Sequence, residues 1–282
     1  MDLPQPVIRA RSRRQVMDWA LVLASQNIEA TIARLEDGAW GLAIHPQDET
    51  AALGALRQYQ VENRGWGWTQ PVPGSGLVFH WGAAGWAAAV VAVYYLCEVR
   101  SPWLERAGVV DTAAIRHGQW WRLFTAISLH ENLPHLMANL TSGFLLLGLA
   151  MARYGAGVAL LSAFLAGAVG NLAGFHFYSD HTGLGASGMV MAALGLLAAP
   201  PYGAWRRHIF VRGGASAVLI LILTGFGPGT DTVAHVGGFV AGACLGAALS
   251  FAPPERLQTG YVNVLACAGV MGLAWWTWQL AF

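Results

Sequence analysis

Charged side chains are scarce in this sequence, and lysine is absent from it. Only 11% of the 282 residues are charged, whereas an ordinary soluble domain has about 25%. All 16 basic residues are arginines, and the formal net charge is +1. We therefore expect that most of the chain does not face water. Because no basic patch stands out, we also expect no nucleic-acid partner.

Cysteine and metal-ligand patterns are sparse as well. The three cysteines, Cys97, Cys244 and Cys267, are far apart in apolar surroundings, which favours neither a disulfide framework nor a metal site. We predict no cofactor and no metal. The N-terminal segment has arginines but lacks an apolar stretch followed by a small-residue cleavage site, so we expect no signal peptide.

Long apolar segments follow one another from Gly76 onward. A bilayer core requires about 20 apolar residues in a helix, and the fourth and fifth segments fall short of that length on their own. The pattern still predicts an all-α polytopic membrane protein. We expect seven spans near residues 77–97, 134–151, 155–176, 187–200, 213–227, 234–252 and 261–281.

Residues 1–70 have a different pattern, which predicts a small soluble α+β domain. Two helical segments flank two predicted strands that meet at Asp37-Gly38, a dipeptide typical of hairpins. This α-β-β-α module is followed by a linker at 71–76. The linker ends a stretch rich in Gly, Pro and Trp, at 65–76, which is typical of a membrane edge.

Arginine placement predicts the orientation of the spans. Arg206, Arg207 and Arg212 follow the fourth span, whereas the loops after spans three and five contain no arginine. Because cytoplasmic loops are enriched in basic residues, we expect a cytoplasmic N-terminal module and external first residues in spans two, four and six. Arginines in the loop at 98–133 weaken this prediction without reversing it.

Four polar side chains are expected at the external side, where an unpartnered polar group in a membrane helix is costly and often functional. Ser187 opens span four in GLGASGMVMAALG, and His235 opens span six in TVAHVGGFVAGACLG. Taken alone, a serine there is more often a packing residue, but a Ser-His pair is the minimum for a nucleophile with its general base. His135 and Asn139 share one helical face on span two. Both can donate to an oxyanion, as can the backbone N–H of Ser187.

Small residues predict that spans four and six approach closely. On span four, Gly195 shares a face with Ser187, and Gly188 lies beside it. On span six the small residues recur every four positions, at Ala234, Gly238, Gly242, Gly246 and Ser250. No Asp or Glu lies within a span, so we expect a Ser-His dyad, with Asp231 as the remaining candidate for orienting His235.

Four motifs lie at span boundaries and together resemble one known family. They are GASG at 185–188 with Gly195, AHVGGFVAG at 234–242, HLMANL at 135–140 and WWRLFTAISLH at 120–130. In this order they resemble the rhomboid family of intramembrane serine proteases, over roughly residues 76–252. The resemblance implies a six-helix core at 77–252. The remainder, 253–282, is similar to the extra helix of "six plus one" members, and the N-terminal module is similar to the cytoplasmic domain of GlpG-like bacterial rhomboids.

The resemblance also implies roles for single residues. It assigns the nucleophile, the general base and two oxyanion donors, in that order, to Ser187, His235, His135 and Asn139. The glycines expected to support the site are Gly185, Gly188, Gly195, Gly238 and Gly242. Arg122 would hold part of a half-embedded external loop at 98–130, where His130 matches a further histidine of the family. Met191 departs from the pattern, since many members have an aromatic residue there, although a thioether can also contact a ring.

The sequence argues against three other classes of membrane protein. HENLPH at 130–135 is similar to the zinc motif His-Glu-x-x-His, but its second histidine comes one residue late, which turns the two rings about 140° apart on a helix. Aspartyl intramembrane proteolysis needs two acids within spans, and none is found. A transporter is disfavoured because no charged residue lies mid-span. An inactive rhomboid-like protein that binds client membrane helices remains the alternative.

We therefore predict a serine endopeptidase that hydrolyses peptide bonds in or near transmembrane helices of membrane-protein substrates. Its expected partners are those substrates and the membrane lipids. We expect it in the bacterial cell (inner) membrane, with the site toward the external side.

Overall fold

The computed structural model describes residues 7–35, 38–62, 78–101, 103–203, 207–226 and 229–282, with the backbone alone at 99–100 and 207–212. The chain divides into two compact units, Met1–Ser75 and Gly76–Phe282. The predicted linker at 71–76 lies outside the described residues. The two units differ in kind, because the first is built around a sheet and the second is almost entirely helical.

The first unit is a three-stranded antiparallel sheet with two helices. Its elements are β1 (Val7–Ala10), α1 (Arg13–Ser25), β2 (Ala30–Arg34), β3 (Trp40–Ile44) and α2 (Glu49–Glu62). The strand order is β1-β3-β2. Leu42 and Ile44 of β3 share one buried cluster with Val16 and Leu23 of α1 and with Leu56 of α2. This unit therefore has an apolar core of its own.

Strand β1 is an addition to the predicted α-β-β-α arrangement. It pairs with β3, with Val7 opposite Ala43, yet only Ala10 of its four residues is buried. So short an edge strand has too few core-facing positions to be recognised from its sequence. The predicted hairpin between β2 and β3 is confirmed by their antiparallel pairing. Its predicted turn residue Asp37 lies outside the described residues, whereas Gly38 has a φ of +79°.

The described part of the second unit is helical apart from one pair of two-residue strands. Its elements are α3 (Gly82–Tyr95), a π turn (Leu96–Arg100), α4 (Trp103–Gly108), β4 (Val110–Asp111), α5 (Thr112–Arg116), α6 (Arg122–Thr125), a 3-10 turn (Ala126–Ser128), α7 (Leu133–Tyr154), α8 (Ala156–Phe177), β5 (Thr182–Gly183), α9 (Ser187–Ala198), α10 (Arg207–Gly225), α11 (Thr232–Leu249), α12 (Pro254–Leu257) and α13 (Gly260–Ala281).

Seven apolar helices occupy the regions of the seven predicted spans. Four of them, α7, α8, α11 and α13, are long and apolar enough to cross a bilayer. The other apolar helices, Gly82–Glu98, Ser187–Ala198 and Gly213–Gly225, are shorter. The short fourth segment that the sequence predicted is α9, with 12 residues, whereas the whole of α10 has 19 residues. The six-plus-one arrangement in a membrane stays a prediction.

Helix α9 is the shortest of these apolar helices, and it packs against α7, α8, α10 and α11. Its 12 residues extend about 18 Å, against a hydrocarbon core of about 30 Å. The carbonyls at its C-terminal end find donors on α7. The Tyr154 hydroxyl donates to Leu196 O (2.9 Å), and the Arg153 guanidinium donates to Leu197 O (3.3 Å) and Ala199 O (2.8 Å). These bonds allow a short helix to end among apolar neighbours.

The connection between α3 and α7 is joined to the segment that precedes α9. Strand β4 lies in this connection and pairs with β5, with Val110 opposite Gly183 and Asp111 opposite Thr182. The sequence did not predict this pair, because two residues are too few to show an alternating pattern. The pairing places the connection beside the start of α9.

The last helix, α13, is attached to the core by hydrogen bonds at the turn between α7 and α8. The Asn263 carboxamide oxygen accepts from Gly157 N (2.8 Å) and Val158 N (3.2 Å), at the start of α8. Gln258 donates to Arg153 O (3.1 Å) at the end of α7. The seventh apolar helix therefore satisfies backbone groups of the core as well as packing against it.

Candidate active site

Ser187 is the first residue of α9 and follows a turn that is tied to a neighbouring segment. Gly185 has a φ of +128°, which favours glycine, and its N–H donates to Ala126 O (3.0 Å). A Cβ built at Gly185 would lie 2.7 Å from His135 Nε2, so only glycine leaves room for that ring. As a first-turn residue, Ser187 has a backbone N–H among those without an intrahelical partner.

Glycines on α9 and α11 let the two backbones touch over three turns, as the sequence predicts. A Cβ built at Gly238 would collide with Gly188 O, and one at Gly242 would collide with Ala192 O. One turn further, a Cβ at Gly246 would lie 2.7 Å from Leu196 O. Gly195 makes the reciprocal contact, since a Cβ there would collide with Phe239 O. We call these contacts the glycine seam.

His235 lies in the first turn of α11 and is 4% exposed. Its Nδ1 is 2.9 Å from Gly225 O, the last residue of α10. Because a carbonyl oxygen can only accept a hydrogen bond, Nδ1 carries the proton. In this tautomer the lone pair is on Nε2, the nitrogen that a general base uses to accept a proton.

Ser187 and His235 lie at the end of the glycine seam where α9 and α11 begin. Ser187 precedes Gly188, and His235 is one turn before Gly238 on the helix that Gly188 touches. Within the described residues no hydrogen bond of 3.5 Å or less joins the Ser187 hydroxyl to the His235 ring. Ser187 is half-buried, and catalytic hydrogen bonds are often long before a substrate binds. The seam brings the two residues to the same end of the helix pair.

Asp231 does not orient His235, contrary to the role that the sequence left open for it. One of its carboxylate oxygens accepts from Ala234 N (3.0 Å) and so caps α11. The other is 2.8 Å from His181 Nε2. The Nδ1 position that a third triad member would occupy is instead taken by Gly225 O. Within the described residues, the His235 ring is therefore oriented by a backbone carbonyl.

His135 and Asn139 lie on α7 and border the turn before Ser187. Asn139 is 5% exposed, and its Nδ2 has no hydrogen-bond partner within the described residues. A Cβ built at Gly185 would lie 3.5 Å from that nitrogen and 2.7 Å from His135 Nε2. An unpaired buried amide is costly. Its donor is thus free to serve a group that enters beside Gly185.

His130 lies just before α7 and is 3% exposed. Its ring meets the His135 ring edge to face, with centroids 5.3 Å apart. Neither ring nitrogen of His130 has a partner within the described residues. Burial lowers the pKa of His130 to about 4, and the nearby His135 adds to this effect. His130 is therefore neutral at neutral pH.

Arg122 joins separate parts of the connection between α3 and α7. Its guanidinium donates to Gln119 Oε1 (2.7 Å), Arg106 O (3.0 Å) and Val109 O (2.8 Å). Burial lowers the pKa of Arg122, and Asp111 opposes that shift. These bonds join three points of the connection to one side chain, and the role of Arg122 in a half-embedded loop stays a prediction.

Two further features bear on the site. Met191 is buried on α9, one turn after Ser187, and its contact with the His235 ring stays a prediction. Sequence analysis missed Gly225, whose carbonyl bonds to His235, and His181, which hydrogen-bonds to Asp231. No pattern in the sequence signals either contact.

In the described part of the chain, no three His, Cys, Asp or Glu side chains lie together as metal ligands.

Comparisons with known proteins identify one family for the second unit. A family model described as the Rhomboid domain matches residues 117–251. The chain belongs to the rhomboid family. All the candidate site residues from Arg122 to Gly242 lie inside the matched rhomboid region. Together with its apolar helices, this identifies a membrane protein.

Three relatives show how far the rhomboid similarity extends. The chain is 34% identical over 199 residues to the Rhomboid protease GluP of Bacillus subtilis, covering 65% of this chain and 38% of the relative. It is 31% identical over 181 residues to RHOMBOID-like protein 5 of Arabidopsis thaliana, covering 57% of this chain and 53% of the relative. For the Rhomboid-like protease 3 of Toxoplasma gondii the identity is 30% over 146 residues, covering 49% of this chain and 55% of the relative. The chain thus spans 38% to 55% of the length of these relatives.

Proposed function

We propose that this rhomboid-family chain is an intramembrane serine protease with a Ser187–His235 dyad. The observation that carries the proposal is the glycine seam, which holds the first turns of α9 and α11 together. The orientation of His235 by Gly225 O adds to it, since Nε2 is left free to accept a proton. The names of two relatives, GluP of Bacillus subtilis and the Toxoplasma gondii protein, also contain the word protease.

In the first step, the Ser187 oxygen attacks the carbonyl carbon of a substrate peptide bond while His235 Nε2 takes the hydroxyl proton. The carbonyl oxygen becomes an oxyanion, which needs donors in fixed positions. The backbone N–H of Ser187 and the side chains of His135 and Asn139 supply them. The unpaired Nδ2 of Asn139 supports this role because it has a hydrogen to give and no present acceptor.

In the second step, the tetrahedral intermediate collapses and the leaving amine takes the proton from His235, which leaves an acyl-enzyme on Ser187. Water then attacks the ester with His235 as base, and the serine is restored. A wound helix hides its carbonyls in its own hydrogen bonds. We therefore expect substrates whose transmembrane helices unwind easily near the cleaved bond, through small or helix-breaking residues.

The setting of this reaction follows from the arginine pattern. We propose a location in the bacterial cell membrane, with the first unit in the cytoplasm and Ser187 toward the external side. The partners are membrane-protein substrates and the surrounding lipids. The six-helix core at 77–252, the extra helix and a soluble first unit at 1–70 belong to this proposal.

The direct test is labelling of the purified protein in detergent by a fluorophosphonate, which reacts with activated serines. We expect labelling of the parent, none of Ser187→Ala, and loss of transmembrane-reporter cleavage by at least about a thousandfold. Ser142→Ala is the matched control, because the Ser142 hydroxyl bonds only to Ala138 O of its own helix. Equal labelling or cleavage by Ser187→Ala would remove Ser187 from the nucleophile role.

The alternative is an inactive rhomboid-like protein that binds client membrane helices. The absence of a hydrogen bond between Ser187 and His235 in the described residues is the observation in its favour. The same experiment separates the two functions. If the folded parent is not labelled and still retains a membrane helix in a binding assay, the binding function replaces the protease.

A further inference from the structure

A hydrogen bond between His181 and Asp231 joins two segments that the proposed mechanism does not use directly. His181 Nε2 and Asp231 Oδ2 are 2.8 Å apart, and each side chain is 21% exposed. The two residues are 50 positions apart in sequence. His181 lies in the link between α8 and α9, and Asp231 is the residue before α11. The pair therefore connects the segments that lead into Ser187 and His235.

At one end of the pair, Asp231 sets the first turn of α11. Its Oδ1 accepts from Ala234 N (3.0 Å), and its backbone carbonyl accepts from His235 N (3.0 Å). The carboxylate lies against the backbone of two other elements, since a Cβ built at Gly174 or Gly183 would be 3.4 Å or 3.5 Å from Oδ2. A shift of Asp231 would therefore carry the backbone of His235 with it.

At the other end, His181 is fixed to the connection between α3 and α7. Its N–H donates to Thr112 Oγ1 (3.1 Å), and its carbonyl accepts from Thr112 N (3.1 Å). The Tyr178 ring packs on its imidazole with centroids 4.6 Å apart. Strand β5 follows directly and leads through Gly185 to Ser187. His181 is thus held in place on the serine side of the site.

We propose that His181 and Asp231 are positioning residues that fix the separation between Ser187 and His235. The glycine seam begins at Gly188 and continues away from the dyad, whereas His181 and Asp231 lie on its other side, before Ser187 and before His235. The first turn of a helix has no intrahelical bonds for its N–H groups. The hydrogen bond between His181 and Asp231 clamps the two segments that lead into these first turns. This inference rests on the proposed protease function.

Neither residue touches the reacting atoms. The Asp231 carboxylate bonds to Ala234 N and His181, while the His235 ring bonds to Gly225 O. Their effect is therefore transmitted through the backbone. A misplacement of about 1 Å can cost about a hundredfold in rate, so a small relaxation of the clamp lowers catalysis without unfolding the protein.

Two single variants separate the clamp from the helix cap. Asp231→Ser keeps an N-cap, because serine caps about as well as aspartate, but it has no second oxygen to reach His181. His181→Leu removes the clamp and leaves the Asp231 cap intact. We expect each variant to lower kcat for a transmembrane substrate and the rate of fluorophosphonate labelling by about tenfold, with KM nearly unchanged. The double variant should be no worse than either, since both changes remove one contact.

His181→Gln and His117→Leu complete the set. A glutamine amide can donate to Asp231 Oδ2, so we expect partial rescue of kcat. His117 is exposed and bonds to Ala113 O of its own helix, so its variant should match the parent. Rates are measured on folded protein, with the melting temperature recorded for each variant. Clamp variants that melt lower but label and cut at the parent rate would overturn the proposal.

The outcome for the protease function is read separately. If the parent labels at Ser187 and both clamp variants label equally well, the positioning role fails and the protease stands. If the folded parent does not label, the protease proposal fails and the positioning role fails with it.

Discussion

The His235 imidazole is oriented by a backbone carbonyl where a triad would use a carboxylate. Gly225 is the last residue of α10, and the final carbonyls of a helix carry a partial negative charge. The Gly225 carbonyl therefore fixes the tautomer and would face the positive charge that the proposed attack places on His235. Such a helix end contributes up to about 2 kcal/mol in a partly buried geometry.

If Ser187 and His235 act as one dyad, the losses of activity in their single variants should not add in the double variant. His235→Ala should abolish reporter cleavage as fully as Ser187→Ala, and the double variant should be no worse, because both residues serve one step. Single-turnover rates for the three variants measure this directly. Losses that multiply in the double variant would show that the two residues act independently.

The lowered pKa of His130 predicts that the protein loses stability in mild acid. Its pKa is lowered from 6.5 to about 4 by burial, so the unfolded chain takes up the proton first. The stability from keeping His130 neutral is complete above pH 6.5 and is lost as the pH falls toward 4. The loss is about 3 kcal/mol at most. We expect unfolding free energies of the parent to fall over this range, and those of His130→Leu to fall less.

His117→Leu is the control for this pH dependence, because His117 is exposed. Its stability should follow the pH curve of the parent. A parent and a His130→Leu variant with parallel curves between pH 4 and 6.5 would mean that His130 does not control the acid loss.

At the scale of elements, the glycine seam is the feature that sequence spacing predicted best. The four-residue repeat on α11 identifies one helix face, and the structure pairs Gly238, Gly242 and Gly246 with carbonyls of α9. The contacts of His235 and Asp231 were not predictable in the same way. They depend on how the ends of α10 and α8 meet α11, which no periodic pattern encodes. The strand pair β4–β5 and strand β1 were missed because each is too short to show a period.

A single methyl group added to the glycine seam is expected to move Ser187 away from His235. A Cβ at Gly238 would collide with Gly188 O, which is backbone and cannot rotate away. We expect Gly238→Ala to slow labelling and cleavage together, and Gly238→Val to be worse and to cost about 1–3 kcal/mol of stability. Gly269→Ala is the control, since a Cβ there meets nothing within 4 Å. A Gly238→Val protein that labels like the parent would show that the seam does not hold the dyad.

At the scale of the whole chain, the seventh apolar helix acts as part of the core. Asn263 on α13 satisfies Gly157 N and Val158 N, and its amide donates to Leu257 O (2.8 Å). Asn263→Leu should lower the unfolding free energy by about 1–3 kcal/mol, because it leaves those N–H groups unpaired. Val264→Leu, at a position 68% exposed, should unfold like the parent. If the parent, Asn263→Leu and Val264→Leu have the same melting temperature, α13 does not stabilise the core.

The division into two units predicts that the first unit is dispensable for chemistry. The sheet and helices of residues 7–62 have their own buried cluster, built around Leu23, Leu42 and Ile44. Every candidate catalytic residue lies beyond the boundary at Gly76. A chain that lacks residues 1–65 should therefore fold in detergent, label at Ser187 and cleave a reporter at a rate close to that of the full chain. The same truncation with Ser187→Ala sets the background. If the truncated chain is folded by circular dichroism but is not labelled, the first unit is required for the active form of the site.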